Sequence, residues 1–212
     1  MRDIPMFPTE YGIAGLVLNQ IPYTGQAYVH IHGVADLKGL MDECVGFCVA
    51  AGAEQIFASG ECDLSDYPLY AHVIKMQRPL EGIGETDACT MPVTEQTLDQ
   101  WLQLYNEAMA RVDNGAYLSV LEGKKLLLEG GCYFVHRDGQ LLGIGVAKGD
   151  QLPALAATVK GAGRDVVLAL CRALGAETVY LEVASTNERA LRLYDRLGFL
   201  QTGLKCSWYR VK

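Results

Sequence analysis

The sequence lacks the features that would assign it to several large classes of protein. No apolar run approaches the ~20 residues that a membrane-spanning helix needs, and the start, MRDIPMFPTE, has neither a basic region nor a long apolar segment. The seven cysteines include no CxxC pair, so neither a disulfide framework nor a structural zinc site is predicted. We therefore expect a cytoplasmic protein with no membrane partner, whose cysteines are small buried side chains.

Positive charge is also scarce. The 18 Lys and Arg residues are outnumbered by 25 Asp and Glu, which gives a formal net charge of −7 at pH 7. A nucleic-acid surface needs clustered cations to replace phosphate counterions, so no nucleic-acid partner is predicted. Any anionic ligand must then meet a local positive site.

Motifs for several common chemistries are missing as well. The chain contains no G-x-S-x-G elbow, no HExxH and no P-loop. His30 and His32 share one face of a predicted strand, but no third ligand is obvious beside them. We therefore predict no metal site.

The sequence does contain alternating strand-like and helix-like segments. Hydrophobic residues make up 50% and charged residues 20% of the chain, which suits a packed core. The longest turn-rich passage, RPLEGIGETDA at residues 78–88, is a candidate linker. It suggests an N-terminal domain at 1–87 and a C-terminal domain at 88–212.

Hydrophobic periodicity and turn residues predict the elements of each domain. In the first domain they predict strands at 12–18, 27–31 and 52–60 and a helix at 37–51 that Gly52 ends. In the second they predict a helix at 97–112 that a capping box of Thr97 and Gln100 opens, and a hairpin around RDGQ. A strand at 151–159 and two further helix–strand steps follow. This order indicates a mixed α/β sheet.

Two stretches of the chain are nearly the same. CVAAGAEQIF at 48–57 resembles CRALGAETVY at 171–180, and in both a helix is predicted to pass into a strand. Seven residues separate Asp63 from Tyr70 after the first copy, and seven separate Asn187 from Tyr194 after the second. Gly-Ala-Glu is also a common way to leave a helix, but the shared order favours two related β-α-β pieces. Pro68 would break a helix carrying Tyr70 in the first.

Residues 186–199, TNERALRLYDRLGF, form the most informative run. Asn187 is a good N-cap and Gly198 a good helix stop, so the run alone predicts an amphipathic helix with a buried tyrosine. Its spacing, after the strand LEVAS, resembles the signature of the GCN5-related N-acetyltransferases (GNAT), which are acetyl-CoA-dependent. The fixed positions of that signature are met at Asn187, Ala190, Leu193, Tyr194, Gly198 and Phe199.

This resemblance covers about residues 88–212. It implies the GNAT acyl-CoA N-acyltransferase fold, with the first half of the chain looking like a partial, degenerate copy. It also implies a glycine-rich loop for the diphosphate of coenzyme A (CoA), and the matching residues are Lys160, Gly161, Ala162, Gly163, Arg164 and Asp165. Small residues let backbone amides approach phosphate, and a helix start adds positive partial charge.

Two residues depart from the family pattern in this loop. Lys160 replaces the usual Arg or Gln, and Asp165 stands where Gly or Ala is usual. Lys160 and Arg164 could add local positive charge. The Asp165 carboxylate could repel phosphate, or it could point to water and favour the helix dipole.

By the same resemblance, Tyr194 is the general acid that protonates the departing thiolate, and a core tyrosine is the alternative. Glu182, in the strand LEVAS, would be the general base, and a solvent-facing glutamate is equally compatible. The backbone of Ala157, Thr158 and Val159 would hydrogen-bond the pantetheine arm as an added strand does, and Asn187 would also contact the arm.

The leading hypothesis is therefore an N-acetyltransferase that takes acetyl-CoA as cosubstrate and an unidentified primary amine as acceptor. A non-catalytic CoA-binding or interaction module with the same fold is the alternative, in which Asp165 has spoiled the phosphate site. A third hypothesis is a structural protein whose duplicated fold mediates only assembly. Homodimer formation is left open.

Overall fold

The structure is a computed structural model, and it describes residues 5–113 and 115–212. The first four residues of the predicted N-terminal domain lie outside this description. The strands are β1 (Met6–Thr9), β2 (Gly12–Val17), β3 (Gln26–Val34), β4 (Gln55–Gly60), β5 (Leu69–Pro79), β6 (Cys89–Pro92), β7 (Cys132–Arg137), β8 (Gln140–Lys148), β9 (Gln151–Ala157), β10 (Thr178–Ala184) and β11 (Leu200–Arg210). The helices are α1 (Ile21–Thr24), α2 (Leu37–Ala50), α3 (Leu98–Met109), α4 (Val120–Glu129), α5 (Gly163–Leu174) and α6 (Glu188–Arg196).

The chain forms two compact units. One comprises the residues up to Val73 together with Leu204–Lys212, and the other comprises Ile74–Gly203. Strands β5 and β11 are divided between them. The division at residue 87 rests on a different criterion, the turn-rich passage and the family resemblance, and it stays a prediction.

The first unit is built around a β-α-β segment. Strands β1, β2 and β3 are antiparallel neighbours, and β3 then pairs in parallel with β4 through the crossover helix α2. The Asp36 carboxylate caps α2 by accepting a hydrogen bond from the Lys38 amide at 3.1 Å. Gly52 follows the helix with a φ of +97°, as predicted. The buried face of α2 carries Leu40, Met41, Cys44 and Cys48.

The second unit repeats this arrangement on a larger sheet. Strands β6, β7, β8 and β9 are antiparallel neighbours, and β9 pairs in parallel with β10 through helix α5. The strand order is β5-β10-β9-β8-β7-β6. Ile144 and Val146 of β8 pack with Trp101 of α3, whereas Gly143 and Gly145 lie against α5 on the opposite face. The sheet of this unit therefore separates two helical layers.

The two similar sequence stretches occupy the same structural place. In each, a helix passes through a glycine with positive φ into the second strand of a parallel pair: α2, Gly52 and β4 in one, α5, Gly175 and β10 in the other. This confirms the predicted β-α-β piece in each half of the chain. Only two residues join β3 to α2, whereas residues 158–162 separate β9 from α5. The second copy alone thus has room for a phosphate-binding turn.

Most local predictions are confirmed. Asp138 and Gly139 both have positive φ in the β7–β8 turn, as a tight hairpin requires. Tyr70 lies in strand β5 and in no helix, in keeping with the effect expected of Pro68.

The predicted capping box of Thr97 and Gln100 is wrong. The box is formed one turn earlier, where the Thr94 amide donates to Thr97 Oγ1 at 3.0 Å, and α3 ends at Met109. A short 3-10 turn at Glu95–Thr97 displaces the start of the helix.

Candidate functional site

Strands β9 and β10 part soon after they begin. Their parallel pairing in the described residues covers Gln151 and Leu152 of β9, opposite Tyr180 and Leu181 of β10. The remaining residues of β9 stay paired with β8 as far as Ala157. A gap therefore opens on the β10 side of β9, at the carboxyl ends of two parallel strands, where open α/β sheets bind ligands.

A bulge in β9 accompanies this parting. Val146 pairs with Ala154 and Lys148 pairs with Gln151, so two residues of β9, Leu152 and Pro153, oppose one of β8. Pro153 has no amide hydrogen to give to a ladder, and proline within sheets is confined to edges and bulges. The extra residue bends β9 and ends its regular pairing with β10.

The main chain of β9 presents hydrogen-bonding groups to this gap. The Thr158 amide donates to the Leu142 carbonyl at 2.9 Å, so Thr158 faces β8. Because backbone groups alternate sides along a strand, those of Leu155 and Ala157 face the other edge. An extended ligand lying in the gap can pair with them as a further strand.

The turn between β9 and α5 is shaped by glycine. Gly161 has a φ of +90°, a conformation that favours glycine, and the Ala162 amide donates back to the Val159 carbonyl at 3.2 Å. A Cβ on Gly163 would lie 3.0 Å from Leu193 Cδ2, so glycine also lets α5 start close to α6. The first amides of α5 have no acceptor within the helix and carry its positive partial charge. The turn is thus suited to an anion.

The Asp165 carboxylate is paired with neighbouring side chains. Arg137 Nη1 donates to Asp165 Oδ2 at 3.0 Å, and Thr86 Oγ1 donates to Asp165 Oδ1 at 2.9 Å. Only 19% of the Asp165 side chain is exposed. This is neither of the two placements considered from the sequence, since the charge is matched by a cation from the end of β7.

The two basic residues of the turn are placed differently. Arg164 Nη1 donates to the Glu85 carbonyl at 3.2 Å and lies 3.7 Å from Asp165 Oδ1, so its guanidinium is turned toward the loop before β6. Lys160 is exposed and forms no ion pair among the described residues. Of the two, Lys160 is the cation available to a ligand in the turn.

Asn187 caps helix α6 as predicted. Its side-chain oxygen accepts a hydrogen bond from the Ala190 amide at 3.1 Å, and Gly198 ends the helix with a φ of +77°. A cavity of about 280 Å³ lies beside Asn187, between residues 111–113 and 186–189. Its lining includes arginine and acidic side chains, so it can accept groups of either charge.

Tyr194 is buried, with 6% of its surface exposed. Its ring packs 5.6 Å from the Phe199 ring, and its hydroxyl makes no hydrogen bond within residues 5–113 and 115–212. Burial raises the pKa of Tyr194 well above its ordinary value, with a smaller contribution from Cys171. A buried hydroxyl without a protein partner can donate its proton to a ligand atom.

Glu182 is exposed on β10, between the buried Leu181 and Val183. It therefore points away from the core, as the strand alternation predicted. Thr86 and Arg137 were not predicted as site residues, because their contact with Asp165 joins parts of the chain that are far apart in sequence.

The fold and the site together define an α/β protein in which a parallel strand pair parts beside a glycine turn at the start of a helix. The sequence profile of the Acetyltransferase (GNAT) family matches residues 85–199, more than half of the chain. The chain belongs to this family. No curated protein sequence is similar enough to count as a match.

Several solved structures share the fold. A conserved protein of unknown function from Staphylococcus epidermidis is 9% identical, with 99% of this chain and 94% of that chain covered and a TM-score of 0.62. A GCN5-related N-acetyltransferase from Sphaerobacter thermophilus is 14% identical, with 93% and 75% covered and a TM-score of 0.58. A GNAT-family acetyltransferase from Colwellia psychrerythraea is 12% identical, with 98% and 84% covered and a TM-score of 0.54.

Two further observations concern the described part of the chain. None of its helices is both long enough and apolar enough to cross a membrane. It also contains no group of three or more His, Cys, Asp or Glu side chains placed to hold a metal ion.

Proposed function

We propose that the chain is an acetyl-CoA-dependent N-acetyltransferase that acetylates a primary amine. The observation that carries this proposal is the parting of β9 and β10 next to the glycine turn at residues 158–162. An exposed main-chain edge suits the amide-rich pantetheine arm, and the turn amides suit a diphosphate. Both lie within the residues that match the family profile.

Of the three residues named from the resemblance, Ala157 and Val159 hold the arm through their main chain, with Leu155 beside them, whereas the Thr158 amide is already bonded to the Leu142 carbonyl. Asn187 contacts the arm beside the helix cap. The turn from Lys160 to Asp165 holds the diphosphate through backbone amides, with Lys160 adding a positive charge. When bound, acetyl-CoA supplies a thioester whose acetyl group the acceptor amine takes.

Proton transfer is assigned to Tyr194 and Glu182. The amine nitrogen gains a bond to the acetyl carbon and loses a proton, which Glu182 receives through water. The carbon–sulfur bond breaks, and the sulfur receives the Tyr194 hydroxyl proton. Burial raises the pKa of Tyr194, so the hydroxyl keeps its proton at neutral pH until the thiolate forms.

Heat denaturation with and without acetyl-CoA tests the binding step. A ligand that binds only the folded state stabilises it by about 2.7 kcal/mol at a hundred times its Kd, so the melting temperature should rise. An unchanged melting temperature at millimolar acetyl-CoA would contradict the proposal and its main rival.

Release of free CoA thiol across a panel of amines then tests catalysis. Because Cys89 is exposed, a Cys89→Ser background lowers the reaction of the protein's own thiols with the reagent, and a sample without acceptor amine measures what remains. Thiol release that depends on one class of amine supports the transferase, and binding without release with any amine would sink it.

The burial of Tyr194 also favours a second candidate, a non-catalytic CoA-binding module. In that case Tyr194 is a core residue and the site senses the cofactor without transferring its acetyl group. Such a protein would be stabilised equally by CoA and acetyl-CoA and would release no thiol.

A further inference from the structure

The amides in the first turn of α5 would bind the proposed diphosphate, and this same turn contains an acidic residue. Asp165 follows Gly163 and Arg164 directly, and the amides of this turn point to the proposed phosphate position. A free negative charge there would oppose phosphate binding.

Two hydrogen bonds hold the Asp165 side chain. Arg137 and Thr86 each donate to one of its oxygens, at 3.0 Å and 2.9 Å. Thr86 is itself fixed, because its oxygen accepts a hydrogen bond from the Ala88 amide at 3.1 Å. Each carboxylate oxygen is thus bonded to a residue from outside the glycine turn.

From this geometry we infer that Arg137 is a positioning residue for CoA binding, because it neutralises Asp165 and holds its carboxylate away from the diphosphate. This inference rests on the proposed function and concerns the same site. It explains how the turn can keep an acidic residue where the family pattern has Gly or Ala. Arg137 acts through Asp165 and need not touch the ligand.

The pair is suited to this role more than to stabilising the fold. The Arg137 side chain is 41% exposed, and exposed ion pairs contribute little to folding stability. Loss of Arg137 should therefore leave the folded protein intact. Its main consequence is a carboxylate at the start of α5 that has lost its hydrogen-bonded cation and keeps only the more distant Arg164, 3.7 Å from Oδ1.

Four proteins test the inference: wild type, Arg137→Gln, Asp165→Asn and the double variant. Isothermal calorimetry with CoA should show Arg137→Gln binding about fivefold or more weakly, and the double variant within about twofold of wild type, as coupled neighbours behave. Arg137→Lys should retain most of the affinity because it keeps the charge. The defect of Arg137→Gln should shrink at high salt.

Two controls separate positioning from general damage. S-acetylpantetheine lacks the diphosphate, so its KM as acetyl donor should be the same in Arg137→Gln and wild type. Lys148→Gln removes a cation from another exposed ion pair, that of Lys148 Nζ and Glu129 at 2.8 Å, and should not change CoA affinity.

Three results would overturn the inference. Arg137→Gln could bind CoA as wild type does, the double variant could stay as weak as Arg137→Gln, or CoA and S-acetylpantetheine could weaken together. The second result would mean that Arg137 contacts phosphate directly. If wild type itself does not bind CoA, the proposed function has failed, which is a different outcome.

Discussion

The Tyr194 hydroxyl is the group on which the proposed chemistry depends most. Tyr194→Phe removes this oxygen and keeps the ring that packs against Phe199. Loss of a general acid typically lowers turnover by about a hundredfold or more, so kcat should fall while the Kd for CoA stays the same. Stability should not fall, because the lost hydroxyl had no hydrogen bond within the described residues.

Steady-state kinetics and calorimetry measure these two effects separately. Tyr180→Phe is the matched control, since Tyr180 is 40% exposed on β10 and should leave kcat unchanged. If Tyr194→Phe turns over at the wild-type rate, Tyr194 is a core residue and not the acid.

Asn187 caps helix α6 and is proposed to contact the pantetheine arm, and one substitution can separate the two roles. Asn187→Asp keeps an oxygen that can accept from the Ala190 amide, and its charge favours the start of a helix. Stability should therefore be kept, whereas Asn187→Ala should cost about 1 kcal/mol. If the side-chain amide also donates to the pantetheine arm, Asn187→Asp should raise the KM for acetyl-CoA. An unchanged KM in a stable Asn187→Asp protein would limit Asn187 to capping.

Local signals were enough to predict the cap at Asn187 and the stop at Gly198. Both depend on residues within one helical turn. The pairing of Asp165 with Thr86 and Arg137 could not be predicted, because it joins side chains that only the finished sheet brings together. Of the two surroundings that the sequence suggested for the Asp165 carboxylate, phosphate and water, neither is the one found.

Helix α2 contains two glycines at which substitution by alanine should change stability in opposite directions. Gly46 is exposed, and a Cβ there would meet no heavy atom within 4 Å, so Gly46→Ala should raise stability by about 0.5–1 kcal/mol. A Cβ on Gly39 would lie 2.6 Å from two atoms of the Tyr11 ring. Gly39→Ala should therefore be destabilising by about 1–3 kcal/mol despite the same gain in helix propensity. Urea denaturation followed by circular dichroism measures both, and equal effects would contradict this packing account.

Strands were predicted better than the contacts between them. The hydrophobic alternation located β9 and β10, and the helix between them implied a parallel pair. Their early parting depends on the bulge at Leu152 and Pro153, and a lone proline in a strand does not specify a bulge. The parting of β9 and β10, which opens the candidate site, could therefore not be predicted from the hydrophobic pattern.

The duplicated β-α-β order was visible in the sequence, but the division of the chain into compact units was not. Leu204–Lys212 belongs with the first unit, where Tyr209 pairs with Ala58 and the Ile56 amide donates to the Lys212 carbonyl at 3.0 Å. A strand's partner is set by contacts distant in sequence, and no local pattern specifies them.

Both units contain buried thiols, which gives the protein a predictable response to alkaline pH. Burial raises the pKa of Cys44, Cys48 and Cys132 to about 11 and that of Cys171 to about 12. An unfolded thiol has a pKa near 8.5, so the unfolded chain loses these protons first as pH rises. The stability that the neutral thiols provide is complete below about pH 8.5 and is lost progressively toward about pH 11.

The free energy of unfolding should therefore fall between pH 8.5 and pH 11, by up to about 1.4 kcal/mol per pH unit for each thiol. Urea denaturation at intervals of half a pH unit measures this slope. Cys132→Ala should be less stable at pH 8 but show a shallower slope, whereas Cys89→Ser, at an exposed position, should keep the wild-type slope. A slope that is the same in all three proteins would mean that groups other than the buried thiols control alkaline unfolding.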